Sequence, residues 1–212
     1  MRIWDSYVRL YHWLQLGLIG GCWWTAENSE MELHITIASV LIALWVSRLF
    51  WGFTGSDTAR FCRFVKGPGQ TIAFARAMLT GQAKPSVGHN PLGAWMIVAL
   101  LVVIGVQGIT GLFSSDEIFT DGPLVAYASS ETVEFMTQIH ELNFNLLMAL
   151  AAVHVLAVVV YSIKGEKLVP AMITGKRGDL ATSEQAPGLK PVWPAIVLFL
   201  ILAAASYSWI TG

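Results

Sequence analysis

Charge is what this chain has least of. Aspartate, glutamate, lysine and arginine make up 13% of its 212 residues, against about a quarter in an ordinary soluble domain. A water-soluble fold of this length would not be so poor in charge. Sustained apolar–polar alternation bounded by hairpin turns is missing as well, which excludes strands. The chain has a basic start followed by an apolar run, but Trp23, Trp24, Thr25 and Ala26 lack the small-residue pattern of a cleavage site. The first apolar run is therefore expected to remain in the mature protein. Cysteine is down to two residues, Cys22 and Cys62.

What fills the chain instead is apolar: 55% of residues are hydrophobic and the mean hydropathy is +0.59. Crossing a hydrocarbon layer takes about 20 mostly apolar residues at about 1.5 Å rise each. Five stretches meet that demand, near residues 7–25, 31–51, 92–113, 133–163 and 192–210. The fourth is longer than needed, so its first turns project beyond the lipid or tilt. The fold class expected is all-α, an integral membrane helix bundle. Residues 1–178 hold the first four stretches, and 179–212 supply a linker and a fifth transmembrane helix.

Lysine and arginine collect in cytoplasmic loops, and here the assignment is one-sided. With the amino terminus inside, Arg2, Arg9, Arg48, Arg60, Arg63, Lys66, Arg76, Lys84, Lys164, Lys167, Lys176, Arg177 and Lys190 all fall at the inner end. The outer loops carry Glu27, Glu30 and Glu32, then Asp116, Glu117, Asp121, Glu131 and Glu134. The carboxyl terminus then lies outside. Cys22 and Cys62 fall on opposite sides and are not expected to bridge.

This topology assigns a depth to each histidine. His12 lies toward the inner end of the first segment and His34 toward the outer end of the second; the fourth segment carries His140 at the outer level and His154 at the inner. At about 100° per residue the fourteen steps from His140 to His154 return to within about 40° of the starting face and advance about 21 Å. One helix can thus supply a ligand to each of two stacked sites, with His12 paired to His154 inside and His34 to His140 outside. A lone histidine at a helix end is ordinarily an interfacial or hydrogen-bonded residue. Independent interfacial histidines need not fall into two levels served by one helix face, however, and ionisable side chains inside a bilayer are functional candidates by default.

Imidazole is a common axial ligand of haem iron, and a pair of them inside a helix bundle makes a six-coordinate electron carrier without an open catalytic position. The four histidines therefore point to two non-covalently held haems. No C-x-x-C-H is present to fix them by thioether links. Arg48, fourteen residues after His34, and Arg9, one turn before His12, are candidates to pair with haem propionates or else to anchor lipid headgroups. His89, in Gly88-His89-Asn90-Pro91, is a substitute ligand, a helix-start residue, or a donor to a propionate or quinone. Gly17, Gly20 and Gly21, with Gly105, Gly108 and Gly111, would admit either a flat macrocycle or a neighbouring helix.

These residues carry a family resemblance. Trp4-Asp5 followed by Val8-Arg9-Leu10-Tyr11-His12-Trp13, the His34 segment ending in Arg48-Leu49-Phe50-Trp51-Gly52, Gly88-His89-Asn90-Pro91-Leu92-Gly93, His140-Glu141 followed by His154, and Leu168-Val169-Pro170-Ala171-Met172-Ile173-Thr174-Gly175 resemble, in order and spacing, the bacterial and nickel-iron-hydrogenase-type cytochrome b561 family. The similarity runs over roughly residues 3–178. It implies a four-helix core with two b-type haems, His12, His34, His140 and His154 at the ligand positions, and electron exchange between membrane quinone and a partner redox protein. The expected setting is the bacterial inner membrane, the chain being on this reading the membrane subunit of a quinone-linked oxidoreductase. The acidic outer loops suit a basic patch on a periplasmic cytochrome c or another redox enzyme subunit. Lipid surrounds the helices, nucleic acid is not an expected partner, and the fifth helix is free to contact a partner or a second copy.

Two rival readings are a stand-alone oxidoreductase exchanging electrons with a small molecule such as superoxide, and a transition-metal transporter. The second is disfavoured because the apolar segments lack internal carboxylates and repeat symmetry.

Overall fold

The computed structural model describes residues 1–83, 86–116, 120–179 and 185–211. Lys84 of the basic loop, Glu117 of the acidic loop and part of the 179–212 linker lie outside the described residues. Eight α-helices are present among them: α1 (Ser6–Glu27), α2 (Met31–Thr54), α3 (Phe61–Phe64), α4 (Pro68–Leu79), α5 (Pro91–Gly111), α6 (Ser130–Ile163), α7 (Leu168–Thr174) and α8 (Trp193–Thr211). No strand forms among the described residues. The extended pairing consists of two isolated bridges, Arg2 with Lys176 and Ser115 with Asp121.

The helices begin where the sequence supplies an acceptor for free amides. The Asp5 carboxylate accepts from Val8 N at 2.7 Å and Asn90 Oδ1 from Gly93 N at 2.8 Å, with Pro91 fixing the first turn of α5. Ser129 Oγ accepts from Thr132 N at the start of α6. Such caps satisfy donors that a helix terminus leaves unpaired. α7 stops at Gly175, whose φ of 79° suits a residue without Cβ.

Four helices, α2, α5, α6 and α8, are long and apolar enough to cross a membrane. α1 spans 22 residues but is not among them, because Arg9, His12, Gln15 and its glycines dilute its hydropathy. α6 has 34 residues, about 51 Å of helix against about 30 Å of hydrocarbon. Leu142, Val155, Leu156 and Val159 on α6 and Leu200 and Ile201 on α8 stand exposed. An apolar surface of that extent has lipid, not water, as its natural solvent.

α2 is the central element, packed between α1 and α8 and touching α5, which in turn packs along α6. The core is densest at the end carrying the basic loops, hereafter the basic end, where Ile3, Trp4, Tyr7, Leu44, Trp51, Ala59, Ala171 and Ala195 are buried together. Trp51 Nε1 donates to the Asp5 carboxylate at 3.0 Å, so the residue that caps α1 also docks α2. A smaller cluster of Val103, Ile104 and Leu147 joins α5 to α6.

The amino terminus is stitched to the segment after α7. Ile3 N donates to Gly175 O at 2.8 Å and Arg177 N to Met1 O at 2.9 Å, while the terminal ammonium donates to Arg177 O. The Arg177 side chain is buried and pairs with Glu166 at 3.1 Å and with Asp179. A second tie anchors the approach to α8. Gly188 N donates to the Asp57 carboxylate at 2.9 Å and Asp57 N to Gly188 O at 3.0 Å. That amide and Arg60 together hold the Asp57 carboxyl below the usual carboxylate range.

Candidate functional site

Four histidines meet in two pairs. The His12 and His154 rings lie 6.4 Å apart between centroids, with planes 51° apart, toward the basic end. The His34 and His140 rings lie 6.4 Å apart, with planes 75° apart, toward the acidic end. α6 contributes one ring to each pair, and α1 and α2 contribute the partners. These are the pairs expected from spacing and topology.

The equal separations bear on what the pairs can hold. An imidazole nitrogen sits about 2 Å from a bound first-row metal, so two trans rings around one metal have centroids about 6 Å apart once the ring radii are added. Among the described residues no group of three or more His, Cys, Asp and Glu converges as a metal site. Two lone imidazoles therefore suit a metal that brings its own equatorial ligands, which is the situation of a porphyrin iron.

The acidic-end pair is oriented by backbone. His34 Nδ1 lies 2.9 Å from Cys22 O and His140 Nδ1 lies 3.0 Å from Gln107 O. Carbonyls only accept, so each Nδ1 carries the proton and each Nε2 keeps its lone pair for a ligand. Around the basic-end pair, Tyr11 Oη, His12 Nδ1 and Gln15 Oε1, all on α1, are buried without hydrogen-bond partners. Buried polar atoms are ordinarily paired, so these unpartnered groups on α1, one of them on a ring of the pair, fit a site that receives a group with polar substituents.

Arg48 is 3% exposed. Its guanidinium donates to Ala59 O at 3.5 Å and sits over the rings of Tyr11 and Phe61 at 5.7 and 5.4 Å. No acidic side chain pairs with it among the described residues. A buried cation held by a carbonyl and aromatic faces, with Asp5 acting on it only from beyond ion-pair distance, lacks a direct anionic partner of the kind such burial favours. A haem propionate has the required charge. Arg9, the other candidate, donates to Asp5 O and, at 2.6 Å, to Ile173 O, tying α1 to α7.

His89 stands apart from both pairs. Its ring lies between Trp4 at 4.5 Å and Phe64 at 4.9 Å, and its Nδ1 is buried without a partner. Burial, with smaller contributions from the Arg48 charge and from His154, pushes it down to about 3, so it is neutral at physiological pH. It lines an open cavity of about 520 Å³ between the α3–α4 segment and the start of α5, together with Phe64, Phe74, Gln70 and Lys66.

The glycines divide. A Cβ at Gly17 or Gly20 would meet nothing within 4 Å; at Gly21, Gly105 and Gly108 it would meet Ile37, Trp45 and Ile42, which is helix packing. Gly111 alone of the six borders a candidate ligand, with His140 Cε1 2.9 Å from where its Cβ would stand.

Several residues of the site carry no motif that marks them. Thr25 and Thr110 place hydroxyls 3.4 and 3.2 Å from the Nδ1 atoms of His34 and His140. Asn143 donates from α6 to Val103 O at 2.9 Å and to Gln107 Oε1 at 2.7 Å. Their signal in the sequence was polarity inside apolar runs, where uncharged polar side chains often join helices.

A family model described as prokaryotic cytochrome b561 matches residues 3–175. No curated protein and no solved structure matches the chain. Two histidine pairs with ring centroids 6.4 Å apart, in a bundle with four helices long and apolar enough to cross a membrane, agree with that match over most of the chain. The chain belongs to the prokaryotic cytochrome b561 family, multi-pass bacterial membrane proteins that bind haem b and transfer electrons.

Proposed function

We propose that the protein is a di-haem cytochrome that relays electrons across the inner membrane between the quinone pool and a periplasmic redox partner. Haem supplies one-electron exchange at iron, and this chain supplies its levels, ligands and surroundings. His12 and His154 would hold a haem at the basic end; His34 and His140 would hold one at the acidic end. Arg48 offers its guanidinium to a propionate of the basic-end haem. The basic end faces the cytoplasm, in keeping with the clustering of lysine and arginine there. The acidic loops are left for a positively charged periplasmic partner, where complementary charge speeds encounter.

The observation that carries this reading is the equal 6.4 Å separation of the two histidine pairs, both served by α6. It is tested by the pigment of the purified protein. Two haem b per chain by pyridine haemochrome, with sharp reduced bands that appear on adding a quinol, are expected. A colourless protein, or one haem per chain, overturns it.

A further inference from the structure

The two histidine pairs differ in what stands behind them. At the acidic end the same small device occurs twice. On α1, Thr25 stands three residues after Cys22; on α5, Thr110 stands three residues after Gln107. Each threonine is buried, 0% and 4% exposed. Thr25 Oγ1 donates back to Gly21 O at 2.8 Å and Cys22 O at 3.0 Å, and Thr110 Oγ1 to Val106 O at 2.8 Å and Gln107 O at 3.2 Å.

With its one proton committed to the helix carbonyls, each hydroxyl turns a lone pair outward. The atom facing it is Nδ1 of a histidine on the following long helix, His34 at 3.4 Å and His140 at 3.2 Å. That same Nδ1 lies within 3.0 Å of the carbonyl in both cases. The N–H of each ring therefore points between two acceptors, which fixes its tautomer and its rotation. At the basic end nothing comparable occurs: His12 Nδ1 has no partner and His154 makes no hydrogen bond among the described residues.

We propose that Thr25 and Thr110 are positioning residues for the His34–His140 pair, each forming with a helix carbonyl a two-point clamp that holds the ring with Nε2 free for iron. The clamp rests on the reading of that pair as haem ligands. A partner on the distal ring nitrogen orients an imidazole and strengthens it as a ligand. The clamped site is accordingly the one that holds its haem longer, and its iron reports the ring orientation that the threonines impose.

The experiment uses the full-length, haem-loaded protein in detergent, with Thr25→Val and Thr110→Val to remove each hydroxyl at constant shape and Thr→Ser at both positions to return it. Haem transfer to apomyoglobin and low-spin EPR are read, and His34→Ala and His154→Ala proteins assign each signal to an end. Each valine variant is expected to lose the acidic-end haem about three- to tenfold faster, the scale of one neutral hydrogen bond, and to shift that haem's EPR signal. Serine restores both, and the basic-end haem, unchanged, certifies the fold.

Unchanged release and EPR in both valine variants, or failure of serine to restore them, overturns the clamp. Should the valine variants not fold, the unmodified protein decides it: the acidic-end haem leaves more slowly than the basic-end one, and the reverse order overturns the proposal. A haem count below two per chain defeats the di-haem reading itself. The clamp is then judged by ¹⁵N histidine NMR, where Nδ1 protonation at His34 and His140 supports it and Nε2 protonation overturns it.

Discussion

His12 on α1 and His154 on α6 face each other at 6.4 Å between ring centroids, although no extensive packing joins those two helices directly. Each is instead held through neighbours, α1 through α2 and α6 through α5. On the reading proposed above, a group held between the two rings would join helices that their own packing leaves apart. Replacing His154 with alanine is expected to remove the basic-end haem and leave most of the acidic-end one, halving the pigment per chain. Unchanged haem stoichiometry in that variant would reject the pairing.

Arg48 gives a second prediction. Its buried charge lacks an acidic partner among the described residues, so a propionate would gain a charge-assisted hydrogen bond there. Arg48→Met is expected to weaken retention of the basic-end haem by about 1.5–3 kcal/mol, the scale of a hydrogen bond to a charged group. Arg48→Lys should recover only part of this, because a compact ammonium does not reproduce the planar fork. Haem titration of the three proteins measures it, and equal affinity in all three would count against the role.

Gly111 provides a steric test at the other end. An added Cβ would stand 2.9 Å from His140 Cε1 and 3.2 Å from Nδ1, so Gly111→Ala must push the ring aside. Selective loss of the acidic-end haem is expected. Gly67→Ala and Gly69→Ala, at the start of α4 outside the long helices and with nothing within 4 Å of the added Cβ, should leave the visible spectrum as it is. Spectra of the three variants side by side make the comparison.

The clasp at the amino terminus should be acid-labile. Hydrogen bonding from Arg177 holds the Asp179 carboxyl down to about 2, below its unfolded value of about 3.9. A depressed carboxylate contributes stability that is complete above its unfolded value and is lost as pH falls through the folded one. The clasp should therefore loosen between about pH 4 and pH 2. Limited proteolysis near the amino terminus should rise over that window, and Asp179→Asn should show the raised cleavage already at neutral pH.

Cys62 reads the orientation. It is exposed in the basic-end loop, whereas Cys22 is only partly accessible within α1. A membrane-impermeant maleimide is expected to label Cys62 in inverted vesicles and to leave it unlabelled in intact spheroplasts. Labelling in spheroplasts would reverse the topology proposed here.

The long helices were legible because a run of apolar residues has few alternatives once charge is this scarce. The sequence placed the second span at 31–51 and the third at 92–113, and the helices run Met31–Thr54 and Pro91–Gly111. The histidine pairs were legible for a related reason: fourteen residues of helix determine both a face and a height. What stayed hidden depends on contacts between distant segments. The Met1–Arg177 stitching, the packing of α4 on α5 and the stacking of His89 between Trp4 and Phe64 have no periodic signature. Thr25 and Thr110 resemble any helix threonine bonded back to its own turn until the neighbouring histidine is seen. The first segment shows the opposite limit. Its length and apolar residues made it a span on reading the sequence, while its hydropathy falls short of the other four.

α6 also behaves as an electrical ruler. His140 and His154 divide it so that about 21 Å separates the two levels, roughly 70% of a 30 Å insulating layer. Any charge handed from one level to the other moves through that share of the transmembrane voltage, at about 1.6 kcal/mol for every 100 mV. On the di-haem reading proposed above, a cell's polarisation would bias such a relay in one sense and oppose it in the other, so the spacing of two histidines would couple turnover to the energised state of the membrane.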